Sequence, residues 1–379
     1  MDFGLNEDQE TLAKYARDFL DNECPPTFVR TMLDHDTALD PGLYKHIAEL
    51  GWMGIAIPEQ YGGQGMTYVD LGVLLEEMGR ALVPGPFFAS VCLAAPVVLE
   101  AGNDAQKQAI LPGIASGETN ATVASTEANA RVDASGIELS ARKDGQGFVL
   151  NGTKRFVLDA HVADTIIVAG RTSDSGDPTE GVTLFALPAN TPGLAVKQLK
   201  AMDMTRRLCD VTLENVAAGA DAVLGDVDRG WPRLERATQR STGMLAAECV
   251  GGSQKVLDLS VAYARERIQF GRPIGSFQAV KHKCADMLVD VELGRSAMYY
   301  AAWAASDSDE ELALAASIAK AFCGEAYTRV AGNGIHVHGG IGFTWEHDMH
   351  LYFKRAKANE VLLGDPPYHR DQVARLVPA

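Results

Sequence analysis

The sequence predicts a mainly helical protein with a β domain set into its middle. Three observations carry that prediction: helical spacing of apolar residues in the first third, period-two alternation between about residues 119 and 228, and two long apolar seams beyond it. In the first segment, 1–118, Leu12, Ala16 and Phe19 share one helix face and Pro25-Pro26 ends that helix. Asp40-Pro41 reads as an N-cap followed by proline at the first helical position, with Leu43, Ile47 and Leu50 as the buried face behind it. PEQYGGQGMT at 58–67 is a glycine-rich loop, after which VDLGVLLEEMGRAL resumes the helical pattern.

In the second segment, 119–228, Phe148-Val149-Leu150 and Thr153 through Val157 are predicted as the arms of a hairpin. The Asn151-Gly152 pair between them supplies the positive φ angles of a type I′ turn. Val182, Leu184 and Ala186 alternate with Thr183, Phe185 and Leu187, the run Cys209 to Leu213 is strand-like, and SDSGDPTEG at 173–181 is a polar loop. No βαβ unit and no GxGxxG following a strand occurs here, which counts against a Rossmann dinucleotide fold. In the third segment, 229–379, Leu245, Cys249, Gly252, Val256, Leu259 and Tyr263 are spaced 4, 3, 4, 3 and 4 apart. Val280, Cys284, Met287, Val291, Gly294 and Met298 continue almost the same rhythm, which predicts two long antiparallel helices. Between them the chain breaks at Phe270-Gly271-Arg272-Pro273 and restarts at once. A break there exposes backbone groups and an aromatic edge, as a binding element does.

Composition narrows the function classes. The chain has 379 residues, 46% hydrophobic and 22% charged, with no apolar run approaching the ~18 residues of a membrane span. The start, MDFGLNEDQETLAKYARDF, lacks a basic region followed by an apolar one, so a cytoplasmic location is expected. A formal charge of −16 argues against nucleic acid, which needs a basic surface. The six cysteines, at 24, 92, 209, 249, 284 and 323, form no CxxC pair, so neither a zinc ribbon nor a redox motif is indicated.

PEQYGGQGMTYVDLGVLLEEMGR (58–80), RERIQFGRPIGSFQAVKHKCADM (265–287) and HVHGGIGFTWEHDMHLYFKRAK (336–357) together resemble the acyl-CoA dehydrogenase family over nearly the whole chain. The resemblance implies an N-terminal helical domain, a β-barrel-like middle domain and a C-terminal four-helix bundle, usually assembled as tetramers with FAD held between domains and subunits. It also implies that Arg267, Phe270 and Gln278 contact the pyrophosphate and adenine of a neighbouring subunit's FAD, with a guanidinium fork suiting phosphate. Gly339, Gly340 and Gly342 would admit backbone N–H groups close to a phosphate. Ser125-Thr126-Glu127 matches the family strand whose threonine bonds the flavin pyrimidine, and Phe156 stands where the family places a ring against the isoalloxazine. Three departures accompany these matches: Leu158 replaces the threonine that bonds flavin N5, Val132 replaces the serine of Gly-Ser-Asp, and His336 stands where a glutamine is usual.

Members of the family remove the α proton of an acyl-CoA with a carboxylate while the β hydride passes to flavin N5. A flavin ribose hydroxyl and a backbone N–H polarise the thioester carbonyl. The glutamate comes from one of two places in the chain, and these fall here on Leu363 (with Gly364) and on Ser241. Asp365, two residues beyond the first, is the candidate base, with Glu360 three residues before it. The alternative is a supporting subunit of an α2β2 tetramer whose homologous partner carries the glutamate.

Arg233, Arg236 and Arg240 lie 3 and 4 apart on one predicted helix face that could take CoA phosphates, with an ion-paired face as the ordinary use. Arg240 and Leu363 are the candidate substrate contacts. His336, His338, His347 and His350 suggest a metal only superficially, so none is expected. Met202, Met204 and Met244 could line an acyl pocket, although packing is their commoner role. Three functions stay open: an FAD-dependent dehydrogenase forming a 2-enoyl-CoA and passing electrons to an electron-transferring flavoprotein, an FAD-sharing subunit without its own base, and another flavin reaction such as an oxidase or monooxygenase. The acyl-CoA substrate is not specified by the sequence.

Overall fold

The computed structural model describes residues 4–377. Helices α1 (Glu7–Glu23), α2 (Pro26–Leu33), α3 (Pro41–Glu49) and α4 (Tyr68–Ala81) come first, followed by a π-helical segment Phe88–Ala94, α5 (Ala95–Ala101) and α6 (Asp104–Ala115). Strands β1 (Ala121–Ala124), β2 (Ser140–Asp144), β3 (Gly147–Leu158) and β4 (Thr165–Arg171) open the middle region. It continues with β5 (Val182–Pro188), β6 (Leu194–Gln198), β7 (Leu208–Ala218) and β8 (Val223–Leu224). Then come α7 (Trp231–Glu266), the short β9 (Ile268–Gln269) and β10 (Arg272–Pro273), α8 (Gln278–Asp307), α9 (Asp309–His338), α10 (Met349–Val361) and α11 (Pro366–Leu376). The helix, strand, helix order predicted from periodicity is the one observed, with Asp40 capping α3 through the Leu43 N–H. No helix among the described residues is long and apolar enough to cross a membrane.

By compactness the chain divides into two units, and the division cuts α7 between Ser241 and Thr242. The first comprises the residues up to Thr31, Thr67–Val83 and everything from Thr242. Here α7 and α8 run antiparallel at close range: a Cβ on Gly294 would lie 3.5 Å from Val250, and one on Gly243 only 3.2 Å from Ala301. Met287, Val291 and Met298 of the predicted seam are fully buried. Against α4 the approach is closer still. A Cβ on Gly251 would stand 1.8 Å from the Glu76 carbonyl oxygen, and one on Gly79 2.3 Å from that of Glu248. Only glycine permits backbones to meet like this, and the carboxylates brought inside are paired. Arg295 reaches Glu76 at 2.9 Å, Arg17 reaches Glu77 at 2.5 Å, and the buried Arg355 reaches Glu248 at 2.8 Å, with Asn359 donating to the same oxygen.

The second unit comprises Met32–Met66 and Pro84–Ser241. Its eight-stranded sheet has the order β6-β7-β3-β2-β4-β5-β8, with β1 pairing parallel to β4. One core lies inside the strands, built on Leu150, Val157, Ile166, Phe185, Val211 and Leu213; another packs strand residues against α5, α6 and the start of α7. Arg207 fixes the C-terminal end of α2 and the turn after it, donating to the carbonyls of Met32, Leu33 and His35.

Asn151-Gly152 departs from its predicted role as a turn. The hairpin between β2 and β3 closes at Gly145, with Asp144 opposite Gly147, whereas Asn151 and Gly152 lie inside the continuous twelve-residue β3. There the register with β7 shifts between Leu150 and Gly152, and the Asn151 carboxamide oxygen accepts the Asn215 N–H at 2.8 Å. The same backbone tolerance that makes Asn-Gly a turn former accommodates a β-bulge, and pairing with β7 decided between them.

One buried ion pair shapes the loop between β1 and β2. Lys154 is completely buried, donates at 2.5 Å to the carboxylate of Glu127 and also bonds the Ser125 carbonyl. Glu127 in turn accepts the N–H groups of Glu138 and Leu139, so one carboxylate ties both ends of the loop to β3. Burial pushes Lys154 down to about 8, and Glu127 offsets part of that shift. Lys154→Met strands a buried charge, with an expected loss of about 3–5 kcal/mol read as a lower denaturant midpoint. The double variant Glu127→Gln/Lys154→Met should recover most of the loss; a single variant as stable as the native chain would refute the role assigned to the pair.

Candidate functional site

Nine described non-glycine residues hold positive φ, and three of them are predicted site residues: Phe156 (φ 56), Phe270 (φ 54) and Leu363 (φ 59). Each costs about 1–2 kcal/mol relative to a relaxed backbone, so the surrounding structure has to impose them.

In the first unit, α7 ends at Glu266 and the chain makes a two-stranded hairpin in which Gln269 pairs with Arg272. Phe270 and Gly271 are its two central residues, both at positive φ, which is a type I′ geometry. The turn leaves the Phe270 ring 91% exposed. Its edge meets Phe277 at 6.0 Å, and Arg272 lies 4.2 Å over the Phe277 ring, so the hairpin is braced from behind while its tip stays open. Arg267 and Gln278, the residues on either side of this excursion, are exposed as well. The break in the helical pattern therefore presents a cation, an aromatic face and a carboxamide from one short hairpin and the residues that flank it.

Also in the first unit, α9 terminates at Gly339 (φ 66), whose N–H caps the carbonyls of Ile335 and His336. A Cβ on Gly339 or Gly340 would meet nothing within 4 Å, so the backbone there is open to a ligand. His336 is exposed beside it. The other histidines are engaged locally: His338 stacks on Tyr263 at 4.6 Å and bonds the Gly334 carbonyl, His347 accepts the Met349 N–H, and His350 stacks on Trp345. Burial pushes His338 below its ordinary value. Among the described residues no group of three His, Cys, Asp or Glu side chains is arranged to hold a metal.

The turn between α10 and α11 carries Leu363, Gly364 and Asp365. Asp365 is exposed and caps α11, its carboxylate accepting the Tyr368 N–H at 2.9 Å. Glu360 is held by Lys357 at 2.5 Å and by the Thr328 hydroxyl at 2.7 Å. Against the upward pull of burial, those two bonds keep its carboxyl below the usual range. Two residues that sequence reasoning missed lie under this turn: Lys320, wholly buried, and His369. Lys320 was visible as a lone charge within the apolar run LALAASIAKAFCG, but nothing local pointed to what it binds.

In the second unit, a further shift of register between Lys154 and Val157 turns Phe156 outward, 47% exposed, with the Arg155 guanidinium 5.4 Å from its ring. Thr126 is half-buried; its carbonyl accepts the Arg155 N–H at 2.8 Å, and its hydroxyl has no partner among the described residues. Leu158 is buried, and its carbonyl accepts the Thr122 hydroxyl at 2.6 Å. Val132 is half-buried in the loop that Glu127 ties down. Ser241 is buried, its hydroxyl 2.5 Å from the Cys92 carbonyl oxygen of the π-helical segment and 2.9 Å from that of Ala237. Arg240 pairs with the Glu100 carboxylate, and Arg233 donates to the Glu100 carbonyl, so this basic face is engaged within the unit. Met202 is exposed and Met204 half-buried, while Met244, in the first unit, is fully buried.

Family profiles and known proteins match nearly the whole chain. The family profiles for the N-terminal, middle and C-terminal domains of acyl-CoA dehydrogenases match residues 6–118, 122–216 and 228–377. The chain is 34% identical over 373 residues to the acyl-CoA dehydrogenase IpdE2 of Mycolicibacterium smegmatis, covering 98% of both. Butyryl-CoA dehydrogenase from Megasphaera elsdenii superposes with a TM-score of 0.91 at 27% identity over 99% of each chain. The ChsE4-ChsE5 complex from Mycobacterium tuberculosis does so at 0.90, with 29% identity over 100% of each.

The geometry of Asp365 separates its two uses. Asp365→Asn keeps a capping side chain and should leave stability within a few tenths of a kcal/mol, whereas Asp365→Ala should lose about 1 kcal/mol. Denaturant titration of both variants checks this; equal stability of Asn and Ala would remove the capping role.

Proposed function

The chain belongs to the acyl-CoA dehydrogenase family of oxidoreductases acting on CH–CH bonds, and on that premise we propose that it binds FAD and serves as the base-lacking subunit of a two-chain dehydrogenase. The product is a 2-enoyl-CoA, and the electrons leave to an electron-transferring flavoprotein. One observation carries the two-chain reading: neither location at which the family supplies a catalytic glutamate holds an acid. Leu363 is a hydrocarbon on a strained turn, and the Ser241 hydroxyl is turned onto the Cys92 carbonyl. Asp365 is occupied as a helix cap. The ChsE4-ChsE5 complex, which pairs two differently named chains on this fold, supports the same reading.

The residues present fit a dinucleotide. An aromatic ring held outward at positive φ, a neighbouring guanidinium and a glycine pair without steric cover suit the adenine and pyrophosphate, through Phe270, Arg267, Gln278 and the backbone of Gly339 and Gly340. The free Thr126 hydroxyl and the exposed Phe156 ring suit the edge and face of the isoalloxazine. When bound, the flavin supplies the acceptor for the substrate hydride. The chain's own part is to bind and orient it, and buried Leu158 offers only hydrocarbon where a hydroxyl is usual. A homotetramer using Asp365 is the second reading, favoured only by that carboxylate's exposure.

The test is expression of the chain alone and together with a homologue that has glutamate at either location, followed by mass, flavin absorbance and anaerobic bleaching with a panel of CoA esters. Bleaching confined to the mixed oligomer is expected. A homo-oligomer that bleaches unaided, and stops when Asp365 becomes Asn, overturns the two-chain reading. In either assembly Arg267→Ala removes a charge-assisted contact and should weaken flavin retention by about tenfold to a hundredfold, measured by dialysis against free FAD.

A further inference from the structure

The chain between α10 and α11 is held by more bonds than a helix-to-helix connection requires. The Lys320 ammonium, buried at the centre of α9, donates to the Glu360 carbonyl at 2.9 Å and to the Gly364 carbonyl at 2.7 Å. The His369 Nε2 lies 3.0 Å from the Leu363 carbonyl between them, which makes it the donor, and Nδ1 faces the Ser317 hydroxyl at 3.5 Å. Gly364 (φ 106) has no room for a side chain, because a Cβ would lie 2.7 Å from Tyr368 and 2.8 Å from His369 Nε2. Three carbonyls in five residues are thereby fixed, and the residue in their middle is a leucine in the left-handed region. Glycine would take that conformation without help; leucine takes it because the backbone is gripped on both sides.

We infer that Lys320 and His369 are positioning residues: they clamp the backbone of the Leu363–Gly364 turn so that the side chain at 363 is presented in a fixed orientation whatever its identity. Because the clamp holds only backbone carbonyls, it is indifferent to whether residue 363 is a hydrocarbon or an acid. The turn that presents a carboxylate in a base-bearing chain is thus kept here with an apolar occupant, which makes Leu363 a fixed wall for the acyl group. That consequence rests on the dehydrogenase reading; the clamp itself does not.

Burial supports the assignment. It pushes Lys320 down to about 8, with Cys249, Cys323, Glu360 and Asp365 opposing the shift. His369 is pushed down to about 4 by burial and then by Lys320, opposed by its bond to Leu363 and by Asp365. His369 is therefore neutral in the closed turn, whereas a solvent-exposed imidazole takes up a proton near 6.5. Acid favours the open form, and its influence sets in as the pH falls below about 6.5.

The experiment is hydrogen exchange of the 360–365 backbone amides in the FAD-loaded oligomer, which needs no CoA ester, so its outcome is independent of whether the reaction is correctly assigned. Four proteins form a cycle: native, Lys320→Met, Leu363→Gly and the double variant. Lys320→Met should speed exchange by about tenfold or more with leucine at 363 and by much less with glycine there, since glycine removes the strain that the clamp opposes. Leu363→Glu should exchange as slowly as the native chain. Equal acceleration in the leucine and glycine backgrounds, or a fast-exchanging Leu363→Glu, overturns the clamp. A second measurement leaves Lys320 intact. Between pH 7 and pH 5 native exchange, corrected for its intrinsic pH dependence, should accelerate, and His369→Gln should abolish that acceleration. An unchanged native rate would remove His369 from the assignment.

Discussion

Backbone held where its side chains would not choose to be is the constraint on which the candidate site depends. Phe156, Phe270 and Leu363 all have φ between 54 and 59, and each is forced there by a different device. A register shift imposes it on Phe156, a two-residue hairpin on Phe270, and buried donors to carbonyls on Leu363. In every case a large side chain leaves the path it would follow in a regular strand or helix. Strain of this kind persists only where neighbouring structure over-determines the backbone, and all three neighbourhoods are built that way.

Buried charge provides much of that over-determination. Lys154 and Glu127 fix the loop between β1 and β2, while Lys320 reaches the turn after α10. Both lysines are pushed down to about 8 by burial. A buried ammonium is costly, and replacing it by a hydrocarbon is often neutral for stability when its partner goes too. Its advantage is directional: an ammonium meets carbonyls and carboxylates at fixed angles, so it specifies one loop conformation where apolar packing would tolerate several.

Leu363 and Ser241, the two positions at which the family resemblance leads one to expect a glutamate, are not acidic, and their surroundings differ in character. Ser241 is absorbed into the interior, its hydroxyl bonded to a carbonyl of the π-helical segment. Leu363 stays on a gripped turn with its side chain half-buried. A carboxylate could not sit in the first environment without losing its solvation, whereas the second constrains only the backbone. The two positions thus differ in kind, and of the two only the turn at 363 has a geometry in which the identity of the side chain can change alone.

Local chemistry in the sequence determined the order of helices and strands, the cap at Asp40, and the helix break at Phe270-Gly271. Each follows from residues adjacent in the chain: a capping carboxylate, a proline, a glycine, a 3.6-residue or two-residue period. Arg267, Phe270 and Gln278, the residues proposed to face the cofactor, were legible because one short motif contains them all. Tertiary structure alone decided that Asn151-Gly152 bulges rather than turns, that Arg240 answers Glu100, and that Lys320 reaches across 44 residues to the Gly364 carbonyl. Those outcomes depend on which strand or helix lies opposite. A backbone carbonyl is identical at every position in the sequence, so only the fold selects which one a buried donor will find.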